Sequence, residues 1–429
     1  MRGAQKSRGL SLLLTSTLVL IVFHPVALAE SAWDEDGWLQ TSYGTDRLES
    51  GDEFGCYGMP GLSWYNDPGA VAQACQSYIT ERINASQWGV HPLSTYTPKS
   101  LTMAQHERIA SQGFAVHGDE NDLEGSAWLN STDAPEDVWD WYNLGRRGGS
   151  LEKGMTSLDS IQEEVSAGGL VNLYWIGRVN DATVRHDREV LTYLNDAEDI
   201  WLTTWGEAWS YWSARRCYEF DHAAEVTEEG TVLRFESLIT EACTSGELVG
   251  WNLPLTWRLT ASSTDVSKVL ISGDDALSIE SETNTMEGWR QQEDGVFLVS
   301  VKNGESVELH FNDTELEYDV LGLTEFWNNH SAAVTIAGHE TSDLFKWSKR
   351  FLEDENVRFT WLLTPRTTVE GAAWMPYAVL GVVFASTVGM MAVLGREGIG
   401  PLGPYFGAGP NTTKQADSQQ KKRSLDAEE

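Results

Sequence analysis

Apolar positions along the chain follow two different rhythms, and the change falls near residue 217. From about 50 to 216, short apolar runs alternate with segments whose apolar residues recur every three or four positions. Ala70, Val71, Ala74, Cys75, Tyr78 and Ile79 keep helical spacing, and Asp67-Pro68 opens that segment as N-cap and first-turn proline. The stretch 101–111 predicts a second helix, stopped by Gly113, and 114–117 a short strand. Helices are expected over 135–144 and 151–165, the latter with Met155, Leu158, Ile161 and Val165 on one side. The run 170–176 is almost unbroken in its apolarity, as in strands buried on both faces of a parallel sheet. A helix around Val184, Leu191 and Leu194, a strand over 200–204 and a helix over 206–216 complete the alternation. Strands alternating with helices predict a parallel sheet, open or closed into a barrel.

Beyond 217 the helical patterns thin out, and β-rich runs appear at 231–240, 255–259, 266–272 and 333–337 with polar turns between them. The clearest unit is "VFLVSVKNGESVELHF", two such runs flanking a Lys-Asn-Gly-Glu turn, which reads as a hairpin. Residues 217–366 are therefore expected to form an antiparallel β-sandwich after an α/β domain over 30–216.

The ends change this picture. Arg2, Lys6 and Arg8 precede an apolar run over 10–23 that closes on Ala27-Leu28-Ala29, so 1–29 reads as a secretory signal peptide. Residues 372–394 carry no charge, and as a helix they would extend about 34 Å, enough for a hydrocarbon core. Arg396, Lys414, Lys421, Lys422 and Arg423 follow, which places the 395–429 tail in the cytoplasm, disordered by composition, and the bulk of the chain outside the cell as a type I single-pass protein.

The net charge of −34 argues against a nucleic-acid partner. Acid-rich composition with 10 lysines against 20 arginines suits a halophilic setting, where salt screens self-repulsion. Four cysteines in an exported chain imply two disulfides; three pairings exist, and Cys56 with Cys75 and Cys217 with Cys243 is the simplest. Asn84, Asn130, Asn312 and Asn329 begin glycosylation sequons on the outer side.

Ligands of parallel α/β sheets gather beyond the C-terminal strand ends, which selects the loops "SWYNDPG" (63–69), "HGDEND" (117–122) and "YWIGR" (174–178). Strand-Asp-helix, strand-His, apolar strand and then "VLTYLNDAEDIWLTTWGEAWSYWSAR" together resemble the polysaccharide deacetylase (NodB-homology) family over roughly 55–216. The resemblance implies a distorted (β/α) barrel that uses a divalent metal, zinc by preference, to remove acetyl groups from amino sugars.

Carried over residue by residue, that resemblance makes Asp67 and His117 metal ligands and sets Asn121 where the family's second metal-binding histidine would stand, a weak ligand for zinc whose carbonyl oxygen suits a harder cation. It departs where the family's base would stand, because Asn66 cannot accept a proton near neutral pH. It departs again where a late V-x-L-x-H motif would supply a proton-transferring histidine, since "VNLYW" puts Trp175 there. Asp119 and Glu120, in the same loop as His117, are the candidate replacements for the missing base or ligand. Each has a plainer reading, Asp67 as a helix cap, His117 as a satisfied loop histidine and the acids as solvated charge. Trp64, Trp175 and Trp201 lie near strand ends, where their rings would stack on sugar. The functions in view are a membrane-anchored glycan deacetylase, a non-catalytic glycan-binding protein on the same fold, or a structural or adhesion component of the cell envelope.

Overall fold

The computed structural model describes residue 33 and residues 36–396 other than 121–142, 153, 177–187, 216, 240–249, 281, 343–350, 352–355 and 367–374. Expectations for the 1–29 leader, the 397–429 tail, Asn121, Asn130 and Cys243 fall outside the described residues. The chain divides into two compact units, 1–367 and 368–429.

Eight strands of the first unit form one parallel sheet. They are β1 (Glu53–Cys56), β2 (Ser94–Thr95), β3 (Val116–His117), β4 (Gly148–Ser150), β5 (Gly169–Ile176), β6 (Ile200–Thr203), β16 (Ala332–Thr341) and β17 (Thr360–Leu363). Their order is β3-β2-β1-β17-β16-β5-β4, with β6 also paired to β16. The first strand thus lies beside the last, the adjacency a barrel requires, and the sheet is a curled half-barrel with β3 and β4 at its free edges among the described residues. One flank of β16 carries β5. The other is shared, by β6 along Ala332–Thr335 and then by β17 from Ala337 onward.

The helices are α1 (Ser42–Glu49), α2 (Pro68–Thr80), α3 (Met103–Ala110), α4 (Leu158–Ser166), α5 (Arg188–Asp196) and α6 (Trp205–Ala214). Local chemistry fixes their starts. Asp67 Oδ1 accepts from the Ala70 N–H at the start of α2, Ser157 Oγ accepts from the Ser160 N–H at α4, and Thr204 and Glu207 form a reciprocal capping box at α6. The helix expected over 151–165 begins only at Leu158, because Ser157 caps it and 148–150 is taken up as a strand. Trp205, Trp209 and Trp212 of α6 are all buried.

Between β6 and β16 the chain leaves the parallel sheet for β7 (Tyr218–Val226), β8 (Thr231–Ile239), β9 (Leu255–Ala261), β10 (Val266–Ile271), β11 (Asp274–Asp275), β12 (Gly288–Gln291), β13 (Val296–Val301), β14 (Ser306–Phe311) and β15 (Tyr318–Leu323). These make two antiparallel sheets, β11-β10-β14-β8-β7 and β12-β13-β9-β15. They face one another, with Phe297 against Phe311 at 5.6 Å and Phe220 stacked on Trp257 at 3.6 Å. The β-rich region is therefore an insertion, and the sequence boundary at 217–366 needs correction at its far end. Residues 333–337, read as a sandwich strand, belong to β16 in the parallel sheet, as does 360–363 in β17. The expected hairpin is corrected too: β13 pairs β12 and β9 while β14 pairs β10 and β8, so its turn carries the chain from one sheet to the other. Trp251 locks the insertion down. Its Nε1–H donates to the His91 carbonyl at 3.1 Å, and its ring lies so close to Gly89 and Gly206 that a Cβ there would meet it at 2.3 and 2.5 Å.

A disulfide joins Cys56 at the end of β1 to Cys75 on α2. Cys217 is disulfide-bonded as well. In the second unit, Met375–Arg396 forms one helix, α7, of 22 residues. Leu380, Val382, Val383, Phe384, Val388, Met390 and Met391 on it are exposed. Among the described residues, no helix is long and apolar enough to cross a membrane.

Candidate strand-end site

Successive residues of a strand point to opposite faces, and that parity decides which side chains meet at the C-terminal strand ends. On β5, Asn172 and Tyr174 share one face. Asn172 Oδ1 accepts from Trp205 Nε1 at 3.0 Å and from Thr335 Oγ1 at 2.9 Å, and the Tyr174 ring lies edge-on to His339 at 6.5 Å. Trp175 takes the other face and packs on Phe351 at 5.5 Å and Trp361 at 6.2 Å.

His339, near the end of β16, is the centre of a cluster drawn from seven segments. Tyr57 follows β1 and Tyr96 follows β2; their rings stack at 4.7 Å, and each stands nearly perpendicular to the His339 imidazole, at 6.2 and 5.4 Å. Trp205, at the start of α6, closes a further side at 6.2 Å. After β3 the chain turns at Gly118, whose φ of +92 suits glycine. That turn swings Asp119 back so that its Oδ2 lies 3.0 Å from His339 Nε2. Arg146, ahead of β4, reaches Asp119 Oδ2 at 3.2 Å and Glu120 Oε2 at 2.8 Å, with its guanidinium 4.2 Å above the Tyr174 ring. Lys99 holds the other Glu120 oxygen at 2.9 Å.

Asp119 is 2 % exposed, and its Oδ1 has no hydrogen-bond partner among the described residues. A buried carboxylate oxygen left in that state is costly unless something outside the described residues reaches it. Burial pushes the Tyr96 phenol upward, and the nearby Asp119 charge adds to the shift. Chemically, the cluster offers an imidazole held by a carboxylate, a guanidinium and an aromatic wall.

Of the expected loop, the described residues bring Asp119, with Glu120 beside it, to His339 at the strand ends. His117 turns away. It is fully buried; its Nε2 lies 2.9 Å from the Phe114 carbonyl and its Nδ1 3.0 Å from His106 Nδ1. A carbonyl only accepts, so His117 carries its proton on Nε2, and its Nδ1 lone pair accepts from His106. Burial holds both imidazoles neutral, His117 down to about 3 and His106 to about 4.

Asp67 is exposed and caps α2. Zinc needs an imidazole lone pair, and His117 has committed its own to His106. Asp67 and His117 as placed here do not fit the zinc site that the deacetylase resemblance implied. Among the described residues, no group of three or more His, Cys, Asp or Glu side chains is placed to hold a metal.

The three tryptophans expected at the sugar-binding surface sit elsewhere. Trp175 is in the core behind β5, and Trp201 is buried, with its Nε1–H on Thr285 Oγ1 at 2.8 Å and its ring against Tyr211. Trp64 is buried with its Nε1–H on the Tyr57 carbonyl at 3.0 Å. Tyr57, Tyr96 and Tyr174 surround His339 instead. Asn84 and Asn312 are exposed and Asn329 is half-buried.

His339, Tyr57, Tyr96, Arg146 and Tyr174 were missed from sequence. "YWIGR" held the right strand end, and strand parity would have chosen Tyr174 over Trp175. His339 was hidden because "AAVTIAGHET" follows more than a hundred residues of inserted β-structure. No protein-family model, curated protein or solved structure matches this chain.

Proposed function

We propose that this chain is a glycan-directed surface protein, held in a membrane by the apolar 372–394 segment, that works on its ligand at the strand-end cleft. One observation carries the reading: a buried His339–Asp119 contact of 3.0 Å inside a ring of tyrosine and tryptophan side chains. Aromatic faces stack on the apolar faces of sugar rings, while the imidazole, carboxylate and guanidinium meet hydroxyl and acetamido groups. In this scheme Asp119 orients His339, and His339 moves the proton.

A second reading, a glycan-binding protein without turnover, is favoured by Arg146, whose contacts hold Asp119 and Glu120 as ion-pair partners rather than leaving them to act as bases.

The full chain in detergent should bind an N-acetylated glucosamine oligosaccharide in calorimetry, and Tyr96→Ala and Tyr174→Ala should each weaken that binding while leaving the fold intact by circular dichroism. A wild-type chain that binds no such oligosaccharide would refute the reading. Acetate release abolished by His339→Gln separates turnover from binding alone.

A further inference from the structure

Residues 63–67, between β1 and α2, form a turn that buries one aromatic ring and holds its neighbour out in water. Trp64 is packed down, with its Nε1–H on the Tyr57 carbonyl at 3.0 Å. The Asn66 and Asp67 N–H groups both donate back to the Ser63 carbonyl, at 3.2 and 3.0 Å, and close the turn. The Tyr65 carbonyl accepts from Gln105 Nε2 at 2.9 Å, which ties the turn to the start of α3. Gln105 is fixed in its own right, because its Oε1 accepts from the Thr102 N–H at 2.8 Å. Tyr65 thus stands on an anchored backbone, yet it is 58 % exposed. A ring left in water contributes little to the core. On such a backbone it has only two side-chain torsions to lose when something stacks on it.

Tyr65 also lies beside the site already described. Burial and then the Asp119 charge push the Tyr96 phenol upward, and Tyr65 adds a smaller push in the same direction, which sets the two phenols within electrostatic reach. Tyr96 is half-buried, stacked on Tyr57 at 4.7 Å and edge-on to His339 at 5.4 Å. Exposure therefore rises in steps, from His339 at 3 % through Tyr96 to Tyr65. Asn66, exposed next to Tyr65, offers an amide donor and an acceptor. A phenol face beside an amide matches a pyranose, which presents an apolar C–H face edged with hydroxyls.

We propose that Tyr65 is an outer sugar subsite, so that the ligand of this cleft is a chain of several sugar units running from His339 over Tyr96 to the rim between α2 and α3. The assignment rests on the glycan reading above. It adds the length of the ligand and the side on which the ligand leaves the cleft.

The test measures binding to the full chain in detergent as a function of sugar length. Calorimetry with the β-1,4-linked tetrasaccharide of N-acetylglucosamine gives one affinity, and competition against it by the monosaccharide gives the other. The wild type should prefer the tetrasaccharide by at least about tenfold, the size of one stacking contact. Tyr65→Ala should lose about that factor for the tetrasaccharide and leave the monosaccharide unchanged. Tyr65→Phe, which keeps the ring, should retain the preference, whereas Tyr96→Ala should weaken both sugars. Equal weakening of both by Tyr65→Ala, or no weakening of either, would overturn the subsite. So would a wild type that binds both sugars alike, an outcome that leaves the glycan reading standing. A wild type that binds neither would remove both.

Discussion

The parallel sheet carries a cluster of acids at each end of its strands, and the two clusters are treated differently. Asp52, Glu53 and Glu207 sit about the N-terminal ends of β1 and β17 and the start of α6, all buried. Their partners are mainly fixed donors of the fold. Asp52 accepts from Arg47 Nε at 2.5 Å, Trp361 Nε1 at 2.6 Å and the Phe359 N–H at 3.0 Å. Glu53 Oε2 accepts from the Gly206 N–H and from Thr360 Oγ1, tying α6 into the step between β6 and β17. Glu207 is held by Trp88 Nε1 and Thr203 Oγ1. Asp119, Glu120 and Glu340 at the opposite ends are met instead by side chains that titrate, stack or swing: His339, Arg146, Lys99 and Tyr57. Among the described residues, each cluster leaves one buried carboxylate oxygen without a hydrogen-bond partner, on Glu53 and on Asp119. Burial pushes Glu53 up to about 7, so the floor accommodates its acid by keeping a proton, whereas the cleft sets a guanidinium and an imidazole beside its own. The acids at the N-terminal ends are tied mainly to backbone, indole and hydroxyl donors, and those at the C-terminal ends to charged, imidazole and phenol side chains.

The largest effect that would break this contrast is at Asp52. Asp52→Ala leaves Arg47 buried without its counter-charge, so it should cost about 3–5 kcal/mol in chemical denaturation. The fraction that stays folded should bind oligosaccharide as the wild type does. Equal loss of stability from His339→Gln would erase the distinction between the two ends.

Next in size is a pH effect. Glu53 has an ordinary value of 4.5 raised to about 7, so the folded chain keeps a proton that the unfolded chain gives up between those values. Its contribution to stability is present below about 4.5 and is lost as pH rises to about 7. His106 and His117 run the other way, because burial lowers them from 6.5 to about 4 and about 3. Their contribution is intact above about 6.5 and is lost as pH falls through the folded-state values. Glu53→Gln removes only the first effect. Relative to wild type it should therefore gain stability from pH 4.5 to 7, on the order of 3 kcal/mol if the whole shift is expressed. Parallel stability curves for the two proteins would show that Glu53 is not held protonated by burial.

Much of the half-barrel was legible because several of its helices carry their own periodicity and cap. Asp67-Pro68 marked the start of α2, and the apolar run through 170–176 marked β5. Pairing was not legible. Nothing local in "AAVTIAGHET" says that it crosses an inserted pair of sheets to lie beside β5, and nothing in "VFLVSVKNGESVELHF" says that its halves part company. The site suffered for the same reason. Asp119 and Glu120 were visible because they follow a strand in sequence. His339 and Arg146 join them only through long-range register, and Tyr174 was passed over for Trp175 because a single residue of parity reverses the face.

The smallest effect decides how Asp67 should be understood. As an N-cap it contributes one hydrogen bond, Oδ1 accepting from the Ala70 N–H at 3.2 Å, and removing such a cap costs about 1 kcal/mol. Asp67→Ala should therefore lower stability by that amount, with metal content and oligosaccharide binding unchanged. His117→Ala provides the sharper companion: it opens a cavity and strands His106, so it should destabilise more, again without touching bound metal. A divalent ion in the purified wild type that disappears in both variants would return Asp67 and His117 to the active site. It would also require the 117–122 loop to fold differently from the arrangement that brings Asp119 to His339.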